Sequence, residues 1–316
     1  MGSNLLIEPL QFAPIFMERV WGGRRLESRY GKLLPPAAKI GESWEITDRP
    51  EAQSVVVHGS WAGQTLHELW ATHRREIFGN LPESERFPLL IKLLDAHEKL
   101  SLQVHPPAHL AAELGGETKT EFWYIADATE DAELFVGFRN ISSRDRFVQD
   151  LQSGDIFAHV HRIPVKVGDA LLLPSGRLHA IGPGNLIVEI QQNSDTTYRV
   201  FDWNRLGSDG KPRQLHIEEA LRCIDFEDRE PQLLKATGEL LVRDPLFEIQ
   251  QWDVTSRREV APLGRFAVLF CLRGEVVSAG ITIKAGEFAL VPAGMPDRWI
   301  HSRTGVANIL RVTIPS

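Results

Sequence analysis

Two stretches set 118 residues apart constrain this chain more than any other feature: VKVGDALLLPSGRLHAI at 165–181 and IKAGEFALVPAGMPDRW at 283–299. Gly168, Pro174 and Gly176 of the first coincide with Gly286, Pro292 and Gly294 of the second. Each stretch reads as an apolar strand entered through a Gly turn and left through a Pro–x–Gly turn. A repeated strand–turn–strand unit predicts two copies of one β domain. The boundary falls near 226–240, where EDREPQLLKATGE is charged and carries a Pro. The predicted domains are 1–230 and 231–316, and 316 residues give each room for a core.

The remaining signal is also β. SVVVHG, FPLLIKLLDA, KLSLQVH, EFWYIAD, AELFVGF, NLIVEIQQ and TTYRVFDW are short apolar or alternating runs punctuated by Gly, Pro, Asn and Asp. Many short strands with turn signals predict a sandwich or barrel. Helices are few. Residues 65–79 carry Leu66, Leu69, Trp70, His73 and Ile77 on one stripe, with a Thr65/Glu68 capping box and a stop at Gly79. Short helices are predicted at 107–114, at 143–152 and over HIEEALRCID. The first three read as insertions into a β architecture.

The composition excludes several classes. No apolar run reaches the roughly 18–20 residues of a membrane span. The opening MGSNLLIEPLQFAP lacks the pattern of a signal peptide. Cys223 and Cys271 are the two cysteines, too few for a disulfide framework or a thiolate zinc site, which predicts a cytoplasmic protein. A net charge of −7 argues against nucleic acid as the main partner, and requires a local basic pocket for any anionic substrate.

SLQVHPP at 101–107 is the first segment with chemistry in it. On a strand Ser101, Gln103 and His105 share one face, and buried polar groups need partners. In ETKTEFWY, Lys119 and Glu121 are again two apart, and His179 follows a strand–turn in LLLPSGRLHAIGPG. Two His, one Glu and one amide oxygen would make a nitrogen/oxygen metal site. That set suits Zn²⁺, and the absence of thiolate leaves Mn²⁺ or Fe²⁺ open. The repeat sets Asp297 opposite His179, so with His179 as a ligand the second copy would keep the scaffold and lose the metal. In NLIVEIQQNSDTTYRVFDWNR, an extended chain would put Glu189, Gln191, Asn193, Asp195, Thr197 and Arg199 on one face. A turn at Asn193–Asp195 would break that parity and make Asp195 a turn cap. The mixed polar set suits a wet pocket inside a barrel.

SLQVHP, KTEFWY, LPSGRLHAIGPG and VEIQQNSDTTYRVFDWNR, in this order, resemble a type I phosphomannose isomerase in its short bacterial form. ERVWGG at 18–23 is similar to the family's N-terminal Trp-Gly motif, and the likeness runs from about residue 15 to 220 and more loosely to the end. It departs at KTE, where many members carry a Pro before the Glu. The resemblance implies two cupin-like jelly-roll β-barrels with a few short helices inserted around the first. It also implies a zinc-dependent isomerase interconverting mannose 6-phosphate and fructose 6-phosphate through a cis-enediol. The implied metal ligands are Gln103, His105, Glu121 and His179. Lys119, Glu189, Asp195 and Arg199 would line the active site, with Ser101 and Trp21 nearby.

Such chemistry needs a base to shuttle a proton between C1 and C2, for which Glu189, Asp195 and Lys119 compete, Glu189 being preferred. It needs a positive group beside the developing enediolate, and a basic anchor for the phosphate. Arg199 and Arg205 are the candidates, with Arg205 the more peripheral. Two other readings compete: a cupin iron dioxygenase, which needs no phosphate anchor, and a non-catalytic sugar-phosphate-binding protein. Metal analysis with a coupled assay on mannose 6-phosphate separates them. The oligomeric state is not legible in the sequence.

Overall fold

The computed structural model describes residues 7–140, 143–207, 209–303 and 305–315. It is mainly β, with few helices, and its strands gather into two pairs of large antiparallel sheets and one two-stranded ribbon. The first pair draws on residues 15–201. Its six-stranded sheet runs in space Ile15–Gly23, Ile40–Ile46, Leu89–Ala96, Asn185–Gln192, Glu121–Ala128, Ala170–Leu173. Its five-stranded sheet runs Tyr198–Phe201, Leu102–Val104, His179–Ile181, Glu133–Phe138, Val160–Pro164. The second pair uses residues 240–313. Its five-stranded sheet runs Leu240–Arg243, Glu248–Val254, Ala307–Thr313, Ala267–Arg273, Phe288–Val291. Arg258–Glu259, Trp299–Ser302, Glu275–Ser278 and Ile281–Lys284 form the four-stranded sheet.

The internal repeat is visible in this topology. Ala170–Leu173 and Phe288–Val291 are the repeated apolar runs, each an edge strand of the larger sheet in its half. Gly168 and Gly286 enter them at φ of 94° and 87°, a conformation that favours glycine. The two halves are joined by one continuous apolar core. Phe122, Tyr124, Val188 and Ile190, on the outer face of the six-stranded sheet, share a cluster with Val268, Phe270, Leu310 and Val312. Leu10 also pairs with Leu290 across the halves. The opposite face of the six-stranded sheet is therefore the one left to build a site.

Local differences from the sequence reading have physical causes. The capping box at Thr65 and Glu68 forms, but the helix expected over 65–79 breaks at His73 into Leu66–Thr72 and Arg74–Phe78. The break re-aims the second segment as a whole, and Ile77 and Phe78 are both buried, with Phe78 against Trp70 at 4.9 Å and Phe87 at 5.4 Å. The expected helix at 107–114 is one turn, Ala108–Ala111, whereas Arg144–Ser153 and Ile217–Cys223 match expectation. SVVVHG makes only single bridges, Phe12 with Val56 and Val55 with Thr65, because the next residue begins a helix. Arg25–Tyr30 is a helix without an apolar stripe to announce it, closed by left-handed Gly31.

Candidate metal centre and cavity

Strand register lays a polar row across the inner face of the six-stranded sheet. Trp44 is paired with Lys92, Lys92 with Glu189, and Glu189 with Trp123. Gln191 is paired with Glu121 one step along, and alternation sends Glu121 to the same face as Trp123. From the facing sheet, His179 pairs with Gln103, and Gln103 with Arg199. A cavity of about 920 Å³ opens between the sheets, within the range of small-molecule sites.

At its floor His105, Glu121 and His179, all buried, bring their ligand atoms within 4.8 Å of one another. The two imidazoles are fixed from behind. His105 Nδ1 donates to the Thr196 carbonyl at 2.8 Å, and His179 Nδ1 to the Arg177 carbonyl at 2.9 Å. Each Nε2 therefore presents a lone pair to the cluster. Burial and the nearby Lys119 ammonium lower the His105 pKa; burial and His105 bring that of His179 down to about 3, so both rings are neutral. His105 Nε2 lies 3.1 Å from Glu121 Oε1, and His179 Nε2 lies 3.9 Å from Oε2. Burial opposes ionisation of Glu121, but the Lys119 ammonium at 2.7 Å, together with His105 and His179, outweighs it and holds the carboxyl well below its usual range. Neutral imidazole lone pairs facing a carboxylate repel one another unless a cation lies among them. Apart from the Lys119 ammonium on Glu121, neither His105 Nε2 nor the Glu121 oxygens find a further hydrogen-bond partner among the described residues.

Gln103 turns its amide nitrogen to His179 Nε2 at 3.3 Å and receives the Ser101 hydroxyl on its oxygen at 3.1 Å. A half-turn of the amide presents the oxygen to the cluster, and the Ser101 hydroxyl then accepts from the nitrogen. The four residues can thus hold a metal ion.

Above this floor the charges alternate. Lys92 Nζ stands 3.5 Å from Glu42 Oε2, 3.5 Å from Glu189 Oε2 and 3.9 Å from Asp195 Oδ1, beneath the Trp44 ring. Burial would raise Glu42, but Lys92 and Arg19 bring it down to about 2. Glu189 behaves in the opposite sense: burial, then the neighbouring Glu121 charge, push it up to about 7. Trp123 Nε1 donates to Glu189 at 2.9 Å and fixes the carboxyl. Lys119 is raised above its ordinary value; burial works against this, and Glu121, Glu189 and Asp195 together overcome it.

Of the sequence-predicted residues, Trp21, Ser101, Gln103, Lys119, His179, Glu189, Asp195 and Arg199 line the cavity. His105 and Glu121 stand behind them in the metal cluster. The extended-strand parity does not carry through 189–199. The strand ends at Gln192, Asn193 turns away to donate to the Asp48 and Phe87 carbonyls, and Gln191 donates to the Ser194 carbonyl. The chain crosses there to the facing sheet, so Glu189 and Arg199 reach one cavity from opposite walls. Arg205 is held by Asp202 at 2.7 Å and by the Lys99 carbonyl at 2.5 Å, and is absent from the cavity wall. Arg19, Lys39, Glu42, Lys92 and Arg213 line it without having been read from the sequence. A Lys inside the apolar run FPLLIKLLDA was the available signal for Lys92, since a buried Lys is rare unless paired.

The family profile described as "Phosphomannose isomerase type I, catalytic domain" matches residues 10–147. A relative named mannose-6-phosphate isomerase, from Streptococcus mutans, is 38% identical over 292 residues, 90% of each chain. The chain belongs to the type I phosphomannose isomerase family. Among solved structures, the mannose 6-phosphate isomerase of Bacillus subtilis superposes on this family member with a TM-score of 0.86 at 36% identity, covering 97% of this chain and all of that one. A more distant structure, mannose 6-phosphate isomerase bound with zinc and yttrium, gives a TM-score of 0.77 at 17% identity over 98% of this chain and all of that one, a likeness of fold alone.

The second half of this phosphomannose isomerase family member lacks the cluster. Register equates Leu173 with Val291, and their partners Glu121 and Ala267. One strand further, Glu189 pairs with Trp123 as Arg311 pairs with Leu269. Asp297 is exposed beside Arg257 at 3.3 Å. Among the described residues, no second group of three metal-ligating side chains is present.

Proposed function

We propose that the protein is a metal-dependent isomerase that interconverts mannose 6-phosphate and fructose 6-phosphate. The observation that supports it best is the pair of neutral imidazoles fixed by carbonyls and aimed with Glu121 at one point on the cavity floor. Gln103, His105, Glu121 and His179 would hold one Zn²⁺ per chain, with Mn²⁺ or Fe²⁺ able to use the same donors. When bound, the ion supplies Lewis-acid stabilisation to the substrate oxygens.

The reaction breaks a C–H bond at C2 and forms one at C1, or the reverse, with a proton also exchanged between the two oxygens. A carboxylate whose pKa lies near working pH suits the transfer, and Glu189 at about 7 meets that condition. Trp123 and Lys92 keep it oriented. Lys119 is tied to Glu121 and serves the ligand carboxylate; Asp195 faces Lys92 from the crossing segment. Arg199, paired in register with Gln103, stands where negative charge develops on the enediolate. Ser101 sets the Gln103 amide, and Trp21 walls the cavity.

We read the two sheet pairs as two cupin-type jelly-roll barrels, 1–230 catalytic with small helical insertions and 231–316 without a metal. The setting is the cytoplasm and the substrate a free sugar phosphate. Metal analysis of the purified protein and a coupled assay on mannose 6-phosphate test the proposal. Turnover that a chelator abolishes and Zn²⁺ restores is expected; absence of turnover with metal bound refutes it.

A further inference from the structure

The cavity is charged unequally at its two ends. Its floor holds Glu121, Glu189 and Asp195 around the metal cluster. The arginines gather where the chain leaves the strand Tyr198–Phe201. Asp202, buried, receives Arg213 Nε on Oδ2 at 2.7 Å, and Arg213 Nη2 on Oδ1 at 2.5 Å. Arg205 Nη2 joins at 2.7 Å. Arg199 donates Nη1 to the Gln214 carbonyl at 2.9 Å, and its buried Nε has no partner among the described residues. Two guanidiniums thus share one carboxylate, and Arg199 stands near them without pairing to it. Glu98 reaches Arg205 alone, at 3.9 Å from the outer side. No carboxylate pairs with Arg199 among the described residues. Burial lowers Arg199, and the neighbouring charge that lowers it most is Arg213. Arg199, Arg205 and Arg213 outnumber Asp202 and the hairpin's Asp209, which also lines the cavity, and a positive surplus on a cavity wall attracts an anion.

We propose that Arg213, clamped by Asp202 beside Arg199, binds the phosphomonoester end of the substrate. This rests on the sugar-phosphate reading above and places the phosphate at a residue the sequence reading did not single out. The clamp uses one edge of the guanidinium, Nε and Nη2, and does not engage Nη1. Arg213 faces the cavity; Arg205 turns Nη1 to the Lys99 carbonyl and Nη2 to Asp202, keeps a buried Nε without a partner among the described residues, and does not line the cavity. A hairpin delivers it: Leu206 bridges Pro212, Gly207 N–H donates to the Lys211 carbonyl at 2.6 Å, and His216 N–H donates to the Arg199 carbonyl at 2.8 Å. Trp203 anchors the hairpin's root by donating Nε1 to the Leu100 carbonyl at 2.7 Å and stacking on Phe157 at 4.1 Å. A phosphomonoester carries about −1.5 to −2 charge at neutral pH, which the positive surplus of the arginine group attracts. A fork held on one edge meets it with little ordering cost. Lys39, exposed at the rim, adds to the field.

The test compares the wild-type holoenzyme with Arg213→Met, Arg213→Lys and Arg205→Met. It reads steady-state kinetics on mannose 6-phosphate, inhibition by inorganic phosphate, and phosphate binding by calorimetry. Arg213→Met is expected to raise KM and the phosphate inhibition constant about tenfold or more, with kcat within about threefold, because ground and transition states hold the same phosphate. Arg213→Lys should recover part of the loss, and Arg205→Met should move both constants less. Unchanged KM and phosphate affinity in Arg213→Met overturn the assignment; if that variant does not fold, unchanged constants in Arg213→Lys do so. A wild type that binds phosphate through Arg213 without isomerising mannose 6-phosphate would sink the isomerase reading and leave this subsite standing.

Discussion

His105 turns its Nε2 to Oε1 of Glu121 at 3.1 Å while its Nδ1 is committed to the Thr196 carbonyl. Two acceptors at that distance define a cation site more sharply than the presence of two His in the sequence. Glu121→Gln keeps the shape and removes the charge. Bound metal is expected to fall from near one per chain to below about 0.1 in both Glu121→Gln and His179→Ala, with activity lost in parallel. Mass-spectrometric metal content near one per chain in either variant would contradict the ligand assignment.

Glu189 gives a pH signature in the metal-free protein. Its folded pKa, pushed to about 7 by burial and then by Glu121, lies above the unfolded value of about 4.3. The folded state holds this proton more tightly. Its stabilising effect is therefore complete below about pH 4.3 and lost as pH rises through about 7. Metal-free Glu189→Gln lacks that loss, so the wild type should melt progressively lower relative to it between about pH 5 and pH 8. A constant difference in Tm across that window would show that Glu189 does not titrate there. Metal binding should move the transition to lower pH, because a cation beside Glu121 offsets the charge that repels Glu189.

Arg199 and Arg205 separate by depth. Arg199→Ala should lower kcat and kcat/KM together by about 10²–10³-fold, the scale of a lost oxyanion donor. Arg205→Ala breaks its bonds to Asp202 and to the Lys99 carbonyl, and costs about 1–3 kcal/mol of stability while leaving kcat nearly unchanged. Kinetics and thermal melts on the two variants check this; a large kcat loss in Arg205→Ala with an unchanged Arg199→Ala would invert the depth order.

Residues that act through strand pairing were the legible ones. Gln103 and His105, or Lys119 and Glu121, are two apart on strands or strand ends, and period-two alternation delivers each pair to one region. His179 followed a strand–turn that the sequence repeats, although the two turns differ: Gly176 takes a φ of 91° and Gly294 no positive φ, and the next strand starts at His179 in one half and at Trp299 in the other. What stayed hidden depends on lateral register between strands far apart in the chain. Trp44, Lys92, Glu189 and Trp123 form one row only after four strands pair, and nothing local announces that order. Arg213 is hidden for a second reason: its place is set by a hairpin and by Asp202, not by periodicity. The parity argument for 189–199 failed at Asn193, whose side chain caps carbonyls of two distant segments, yet Glu189 and Arg199 still meet because the crossing strand faces its origin. The His73 break was likewise decided by the packing of Phe78 on Trp70 and Phe87.

The second half offers a final prediction, that the chain takes up one tightly bound metal and not two. By register Ala267 occupies the position of Glu121, and a methyl group cannot ligate. Arg311 occupies that of Glu189, and its guanidinium donates to the Val260 carbonyl at 2.5 Å and to Gln250 at 3.4 Å. A buried cation there opposes a second positive charge. Asp297, the counterpart of His179 by sequence offset, points outward to Arg257, and the strand after the Pro–x–Gly turn begins at Trp299 rather than at 297. The repeat has kept the sheets and filled the interior with Leu269, Ile309, Ala289 and Val291. Titration of the metal-free protein with Zn²⁺ should saturate at one equivalent, and Glu121→Gln should abolish that single tight phase without exposing another. A second tight equivalent that survives Glu121→Gln would place a metal in the C-terminal half and overturn the register argument.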